Sequence, residues 1–271
     1  MIFGKFGFPR LEVRGGAAAT ACARVAEFAI TAYYILRREG KIRFRLPDLL
    51  PNNRALYRKY IAISIPVIGN ELMWGLGTSM VAVVIGRMGT NFVAANSIYT
   101  VLNQFVSVMI FGVGNAALTI VGNTIGSGDY ELAKQRSVTL LMLSLGLGLF
   151  SAGVTLLLGP MVVSMYNLSP ETVEIALAIT RLGALIVFFQ SIALIGMVGV
   201  LRAGGDAKFV LLCEVVFLWF VAVPAGFYTG LVLGWPAAPV FLLLKCDEIL
   251  KSLITMVRIV RFRWLRDVTG R

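Results

Sequence analysis

Histidine is absent from this sequence, and cysteine and charged residues are scarce. Without histidine the chain lacks the commonest metal ligand and the side chain most often used for acid–base chemistry near neutral pH. Cys22, Cys213 and Cys246 lie inside apolar runs without C-x-x-C spacing, which favours packing positions over a disulfide or a metal site. We therefore expect neither an enzyme nor a bound cofactor, apart from a coupling ion.

Hydrophobic residues make up 58% of the chain and charged residues only 14%, with a mean hydropathy of +0.83. The surface of a soluble domain needs more polar residues than this. Apolar runs recur from end to end, and a helix needs about 20 apolar residues to span a bilayer. Strands of membrane barrels are shorter and alternate in polarity. The composition predicts an all-α, polytopic membrane helix bundle.

The apolar runs predict about seven transmembrane helices. Their approximate ranges are 16–36, 60–85, 94–121, 138–159, 175–200, 209–232 and 237–258. The chain then divides into three parts. Residues 1–59 hold an external loop, the first helix and a basic cytoplasmic loop. Residues 60–260 form a six-helix bundle, and residues 261–271 form a basic cytoplasmic tail.

The positive residues predict the orientation of the bundle. A net charge of +11 would suggest nucleic acid as the partner of a soluble protein, but here Lys and Arg lie between apolar runs, so we expect membrane lipid and no nucleic acid. They concentrate in 37–59 and in the tail and are missing from 160–174 and 233–236. Because positive loops stay in the cytoplasm, we expect a multi-pass protein of the plasma or inner membrane with a cytoplasmic carboxyl terminus.

The first residues do not resemble a signal peptide, because Gly4, Lys5, Gly7 and Pro9 interrupt their apolar residues. A free amino terminus carrying positive charge would have to cross the membrane. The segment is more typical of an external loop that follows earlier helices. We therefore expect an incomplete chain.

Seven motifs follow one another along the chain. They are IFGKFGFPRLEVRGGAAAT, IPVIGNELMWGLGTS, GRMGTNFVAANSI, VGNTIGSGDYELAKQ, LRAGGDAKF, KCDEILK and WLRDVTG. In this order they resemble the multidrug and toxic compound extrusion (MATE) family over nearly the whole chain. The resemblance implies helix six and the carboxyl-terminal six-helix bundle of a twelve-helix transporter. About five helices and the amino-terminal acidic cation site would be missing, so the missing bundle or another chain would be a partner.

Glu71 is the strongest candidate for a functional residue, because an ionisable side chain at mid-membrane depth is costly. It lies about 11 residues into its predicted span, roughly 16 Å at the helical rise, near the bilayer centre. Asn70 and Trp74 share its neighbourhood, and Pro66 removes a helical hydrogen bond upstream. A carboxylate beside an indole suits an organic cation, and the resemblance also implies a carboxylate here. The alternative is an acid that only hydrogen-bonds within the bundle.

Four charged residues crowd the last predicted span: Lys245, Asp247, Glu248 and Lys251. Their spacings of three and four residues allow opposite charges to pair on one helix, which lowers the cost of burial. One interpretation is a self-paired lock between helices. The other is a role in proton or cation coupling.

Four further residues carry predictions of their own. Arg24 and Glu27, three residues apart in the first span, favour self-pairing over a role in ion coupling. Glu214 lies near the predicted cytoplasmic edge, which favours a structural role. Gln190 occupies a mid-span position where some MATE members carry an acid for sodium binding, so its neutral side chain argues against that sodium site.

Two local patterns predict helix packing and a helix start. Glycines inside the spans favour close helix contacts. They are Gly112, Gly114, Gly146, Gly148, Gly183, Gly196 and Gly199. Ser127 or Asp129 is expected to cap a helix that begins near Tyr130.

The sequence lacks a Walker motif, so an ion gradient is the expected energy source. The leading hypothesis is an antiporter that exports organic cations or drugs in exchange for H⁺ or Na⁺. One alternative is a lipid-linked oligosaccharide flippase of the same superfamily, which would need more cationic residues at mid-depth. Another is a membrane interaction subunit that transports nothing.

Overall fold

The computed structural model describes residues 12–37, 54–262 and 264–265. These residues form helices and short turns, and the described part contains no strand, which confirms the predicted all-α fold. The helices are α1 (Glu12–Arg37), α2 (Arg54–Arg87), α3 (Thr90–Gly126), α4 (Tyr130–Ser164), α5 (Pro170–Leu201), α6 (Ala207–Val232), α7 (Ala237–Leu244) and α8 (Cys246–Val260). Most of the predicted external loop, basic loop and tail lies outside the described residues.

The chain divides into two compact units after Arg58. In the first unit, α1 is a single exposed helix. The second unit is a bundle in which α5 is the innermost long helix. In α5, 67% of the most apolar segment is buried, against 39% or less in α2, α3, α4 and α6.

Five of the predicted spans are confirmed as helices long and apolar enough to cross a membrane. They are Tyr60–Arg87 within α2, and α3, α4, α5 and α6. Helix α1 is not among them, because Arg24 and Glu27 lower its mean hydropathy. The predicted last span, 237–258, is divided into α7 and α8, each too short to cross a bilayer alone.

The division of the last span falls at Lys245, whose φ of −117° and ψ of 5° depart from helical values. Asp247 and Glu248 follow at once in the first turn of α8. Carboxylates at this position interact favourably with the positive end of the helix dipole. The charges expected to sit inside one continuous helix therefore mark the start of a new one.

Helix starts follow their sequence signals. The Asp129 side chain accepts a hydrogen bond from the Leu132 backbone N–H at 3.0 Å, and α4 begins at Tyr130 as predicted. At the start of α5, the Ser169 hydroxyl accepts from the Thr172 N–H at 3.3 Å, and Pro170 takes the first helical position.

Close packing at glycine is confirmed at five of the seven predicted positions. A Cβ added at Gly114, Gly148, Gly183, Gly196 or Gly199 would collide with a neighbouring helix, whereas one at Gly112 or Gly146 would meet no atom within 4 Å. The contact of Gly183 with the buried ring of Tyr99 joins α5 to α3. Such contacts hold helices together where the lipid removes the hydrophobic drive for association.

Candidate polar cavity

A cavity of about 210 Å³ lies between α2, α3, α5, α6 and α8. Its polar wall consists of Asn70, Glu71, Gln190, Arg202, Glu214, Glu248 and Lys251, and its apolar wall includes Trp74, Phe111, Leu194, Met197, Val198 and Val210. Six of the nine predicted site residues therefore meet in one place. They are Asn70, Glu71, Trp74, Gln190, Glu248 and Lys251.

Glu71 is held by a partner that the sequence did not indicate. The Arg202 guanidinium, at the end of α5, donates to its Oε1 at 2.8 Å. The arginine side chain is 14% exposed, whereas the glutamate side chain is 57% exposed. One side of this ion pair is therefore embedded in the bundle, and the carboxylate faces outward.

Lys251 lies at the centre of a second group of charges, here called the Lys251 cluster, with Glu214, Asp247 and Glu248. Its ammonium nitrogen is 2.7 Å from Asp247 Oδ2, 3.0 Å from Glu214 Oε1 and 3.8 Å from Glu248 Oε1. The lysine side chain is only 4% exposed. The predicted pairing of Lys251 with Asp247 and Glu248 within one helix is confirmed.

The Lys251 cluster is nevertheless not the self-contained set that the spacing predicted. Glu214, for which a structural role is predicted, reaches the cluster from α6 and accepts hydrogen bonds from Lys251. Lys245 forms no ion pair with Glu248 within the described residues, because it lies at the break before α8.

Carboxylates outnumber cations in the described cavity wall. The wall holds the carboxylates of Glu71, Glu214 and Glu248 and the cations of Arg202 and Lys251. Charges removed from water are stable only when they are compensated nearby. The wall is thus suited to bind additional positive charge.

The packing of α2 against α6 sets the position of Glu71 relative to the other charged residues. Gly69 faces Leu211, and the Trp219 indole donates to the Met73 carbonyl at 3.1 Å, so α2 and α6 run side by side in the same direction. Glu71 therefore lies beside the first two turns of α6.

Comparisons with known proteins show which family this chain belongs to. The model of the family MatE matches residues 66–228, which include most of the cavity wall. The chain belongs to the MatE family. The family and the five apolar helices make it a multi-pass membrane protein.

The MatE chain is similar to proteins whose names describe transporters. It is 26% identical to the uncharacterized transporter YisQ of Bacillus subtilis over 94% of this chain and 55% of YisQ. It is 27% identical to the probable multidrug resistance protein NorM of Thermotoga maritima over 84% of this chain and 48% of NorM. The chain spans about half the length of these curated relatives.

The fold of the MatE chain also matches a solved transporter. The crystal structure of the Vibrio cholerae MATE transporter VcmN in its bent form covers 96% of this chain, and this chain covers 58% of VcmN, with a TM-score of 0.75 and 18% identity. At this identity the match concerns the fold alone. It confirms the polytopic helical bundle predicted from the motifs.

Two segments of the MatE bundle beside the cavity adopt π-helical geometry. The last turns of α5, Ile195–Leu201, carry Met197 and Val198 into the wall, and Val215–Ala222 of α6 follows Glu214 directly. Wide π turns occur mostly at functional positions, where they redirect side chains. The first of these segments ends immediately before Arg202, which it aims at Glu71.

The remaining predicted residues lie outside the cavity wall of the MatE chain. Asp247 binds Lys251 from its side of α8 without lining the cavity. Arg24 and Glu27 belong to α1 in the first unit, where they form an exposed ion pair of 2.7 Å with each other. Their self-pairing is confirmed.

Proposed function

We propose that this chain forms the carboxyl-terminal half of a secondary transporter that exports organic cations in exchange for H⁺ or Na⁺. The observation that carries the proposal is a cavity wall in which carboxylates from α2, α6 and α8 exceed the cations that pair with them. Trp74 and Phe111 add aromatic surface on which a cationic ring system can stack.

The ion pair of Glu71 provides a way to exchange one cation for another. Glu71 is more than half exposed, so an incoming cation can approach its carboxylate while Arg202 remains on the other side. A bound cation then competes with the guanidinium for the same oxygen. Transporters of this type bind substrate at such sites and move two bundles around them.

The Lys251 cluster is the proposed site of ion coupling. Lys251 occupies the centre of three carboxylates, where a sodium ion would otherwise bind, which favours H⁺ as the coupling ion. Glu248 lies farthest from the ammonium and also lines the cavity, so it can exchange a proton with the substrate site. Protonation removes one of the excess negative charges that attract a cationic substrate.

The charge balance favours this function over a lipid-linked oligosaccharide flippase. A pyrophosphate group needs free cations, whereas Arg202 and Lys251 are already paired with carboxylates. We further propose that an amino-terminal bundle, or another chain that supplies one, completes the site beside the exposed Glu71. In this proposal the assembled transporter resides in the plasma or inner membrane.

Proton release on cation binding tests the proposed exchange. The purified chain in lipid nanodiscs would be titrated with tetraphenylphosphonium, which has no proton of its own, in weak buffer with a pH indicator. We expect proton release, and weaker affinity at lower pH because protons compete for the same carboxylates. Glu71→Gln should weaken binding, and Trp74→Ala should weaken it by about 1–2 kcal/mol if the indole stacks on the cation.

Glu248→Gln separates coupling from binding in the same titration. It should abolish most of the proton release while the cation still binds, and Glu131→Gln, on the exposed surface of α4, serves as the control. Binding without proton release in the wild-type chain would refute proton coupling. Release of sodium instead, measured with a sodium-selective indicator, would assign the coupling ion to Na⁺.

A further inference from the structure

The Asn70 side chain is the unusual feature of the cavity wall. It is 5% exposed, and its Oδ1 has no hydrogen-bond partner. A buried amide oxygen without a partner is unfavourable, and native structures rarely keep one unless a ligand or water completes it. Asn70 lines the cavity, so a ligand held there lies beside this amide.

Two neighbouring carboxylates are already engaged in hydrogen bonds. Glu71 accepts from Arg202 at 2.8 Å, and Glu214 accepts from Lys251 at 3.0 Å and 3.2 Å. These carboxylates attract any cation through their charge, whatever groups surround its positive atom. The Asn70 oxygen differs from them, because it is neutral and offers a directional acceptor that is not yet used.

We propose that the cavity selects ammonium ions that carry at least one N–H, and that Asn70 Oδ1 accepts this hydrogen bond. The inference rests on the proposed function, which supplies the cationic ligand. It adds that protonated primary, secondary and tertiary amines are preferred over quaternary ammonium ions. Carboxylates, Trp74 and Phe111 attract both classes, so Asn70 makes the distinction.

The size of the preference follows from what a quaternary ion leaves unsatisfied. A methyl group in place of the N–H fills the cavity but leaves the amide oxygen buried and unpaired. Sites built to hydrogen-bond a ligand group reject analogues without that group far more strongly than apolar pockets reject a small change in size. A hydrogen bond to a charged donor corresponds to a preference of about tenfold or more.

Two matched probes test the inference by binding alone. They are protonated 2-(1-naphthyl)ethyl-dimethylamine and its N-methylated trimethylammonium analogue, which share the aromatic ring and the charge. Affinities for the full chain in nanodiscs would be measured by equilibrium dialysis at constant pH. The protonated amine should bind about tenfold or more tightly to the wild-type chain.

Three variants assign the preference to Asn70. Asn70→Leu should weaken the binding of the protonated amine only, which reduces the affinity ratio of the two probes to about one. Asn70→Asp keeps an acceptor and should preserve the ratio. Asn103→Leu is the matched control, because Asn103 Oδ1 is likewise buried without a partner but lies outside the cavity wall. It should leave the ratio unchanged.

Equal affinities in the wild-type chain, an unchanged ratio in Asn70→Leu, or binding of neither probe would each overturn the inference. These results are separable from the coupling test. A clear N–H preference without proton release would preserve the role of Asn70 and refute the exchange mechanism. Proton release without the N–H preference would support the exchange mechanism and refute the role of Asn70.

Discussion

At the scale of single residues, Lys251 shows how the bundle tolerates several charges in its interior. One ammonium compensates carboxylates from α6 and α8, and each charged group lies within 4 Å of it. Buried ion pairs gain little over an apolar core, but removing one member leaves an uncompensated charge. Lys251 therefore contributes little through the strength of its contacts, but its removal would leave three carboxylates without a compensating charge.

Replacing this lysine should be strongly destabilising. We expect Lys251→Met to lower the free energy of unfolding by about 3–5 kcal/mol, because three carboxylates lose their cation. Thermal unfolding in detergent, followed by fluorescence-detected size exclusion, measures the effect. Lys134→Met is the control, since Lys134 pairs with the exposed Glu131 and its loss should matter little. Equal stability of the two variants would contradict the proposed role.

At the scale of helices, α4 and α5 depend on one close approach. Gly148 lies against the Phe188 carbonyl oxygen, and an added Cβ would sit 2.8 Å from that backbone atom. The Ser191 hydroxyl donates to the Ser144 carbonyl at 2.9 Å in the same interface. Backbone atoms cannot move aside as a flexible side chain can, so this contact fixes the spacing of the two helices.

Two alanine substitutions on α4 separate packing from helix propensity. Gly148→Ala should destabilise the bundle by about 1–3 kcal/mol, because the new methyl group forces α4 and α5 apart. Gly146→Ala, one half-turn away, meets no atom within 4 Å and should be neutral or stabilising by up to about 1 kcal/mol. Thermal unfolding of both variants in the same detergent compares them. A stabilised Gly148→Ala would show that the helices are not held at this distance.

At the scale of the whole molecule, the orientation of the bundle determines the side of the membrane from which a cation can enter the cavity. The pair of Glu71 and Arg202 lies near the turn between α5 and α6. The positive-inside rule predicts that this turn faces the cytoplasm. In the proposed transport cycle, a cation from the cytoplasm would meet this pair before the aromatic wall.

Cysteine labelling tests the orientation. In a background with Cys22, Cys213 and Cys246 changed to alanine, Tyr166→Cys should react with an impermeant maleimide added to intact cells. Arg261→Cys should react only after the membrane is permeabilised, because the positive-inside rule retains that end in the cytoplasm. Labelling of Arg261→Cys from outside would reverse the proposed orientation and the direction of access to Glu71.

The sequence by itself determined the all-α bundle, five of its apolar helices, the start of α4 and six residues of the cavity wall. These features depend on local composition, on spacing along one helix and on motifs, all of which are readable along the chain. It also identified the pairing of Lys251 with Asp247, since four residues on one helix share a face.

Only the tertiary structure decided which charges meet across helices. Arg202 and Glu71 are far apart in the chain, and so are Glu214 and Lys251; each contact depends on how α5, α6 and α8 align with their neighbours. The same alignment places Glu71 beside the first turns of α6. Counting residues along one helix cannot reveal such neighbours, because helices begin at different heights and only their packing sets the register.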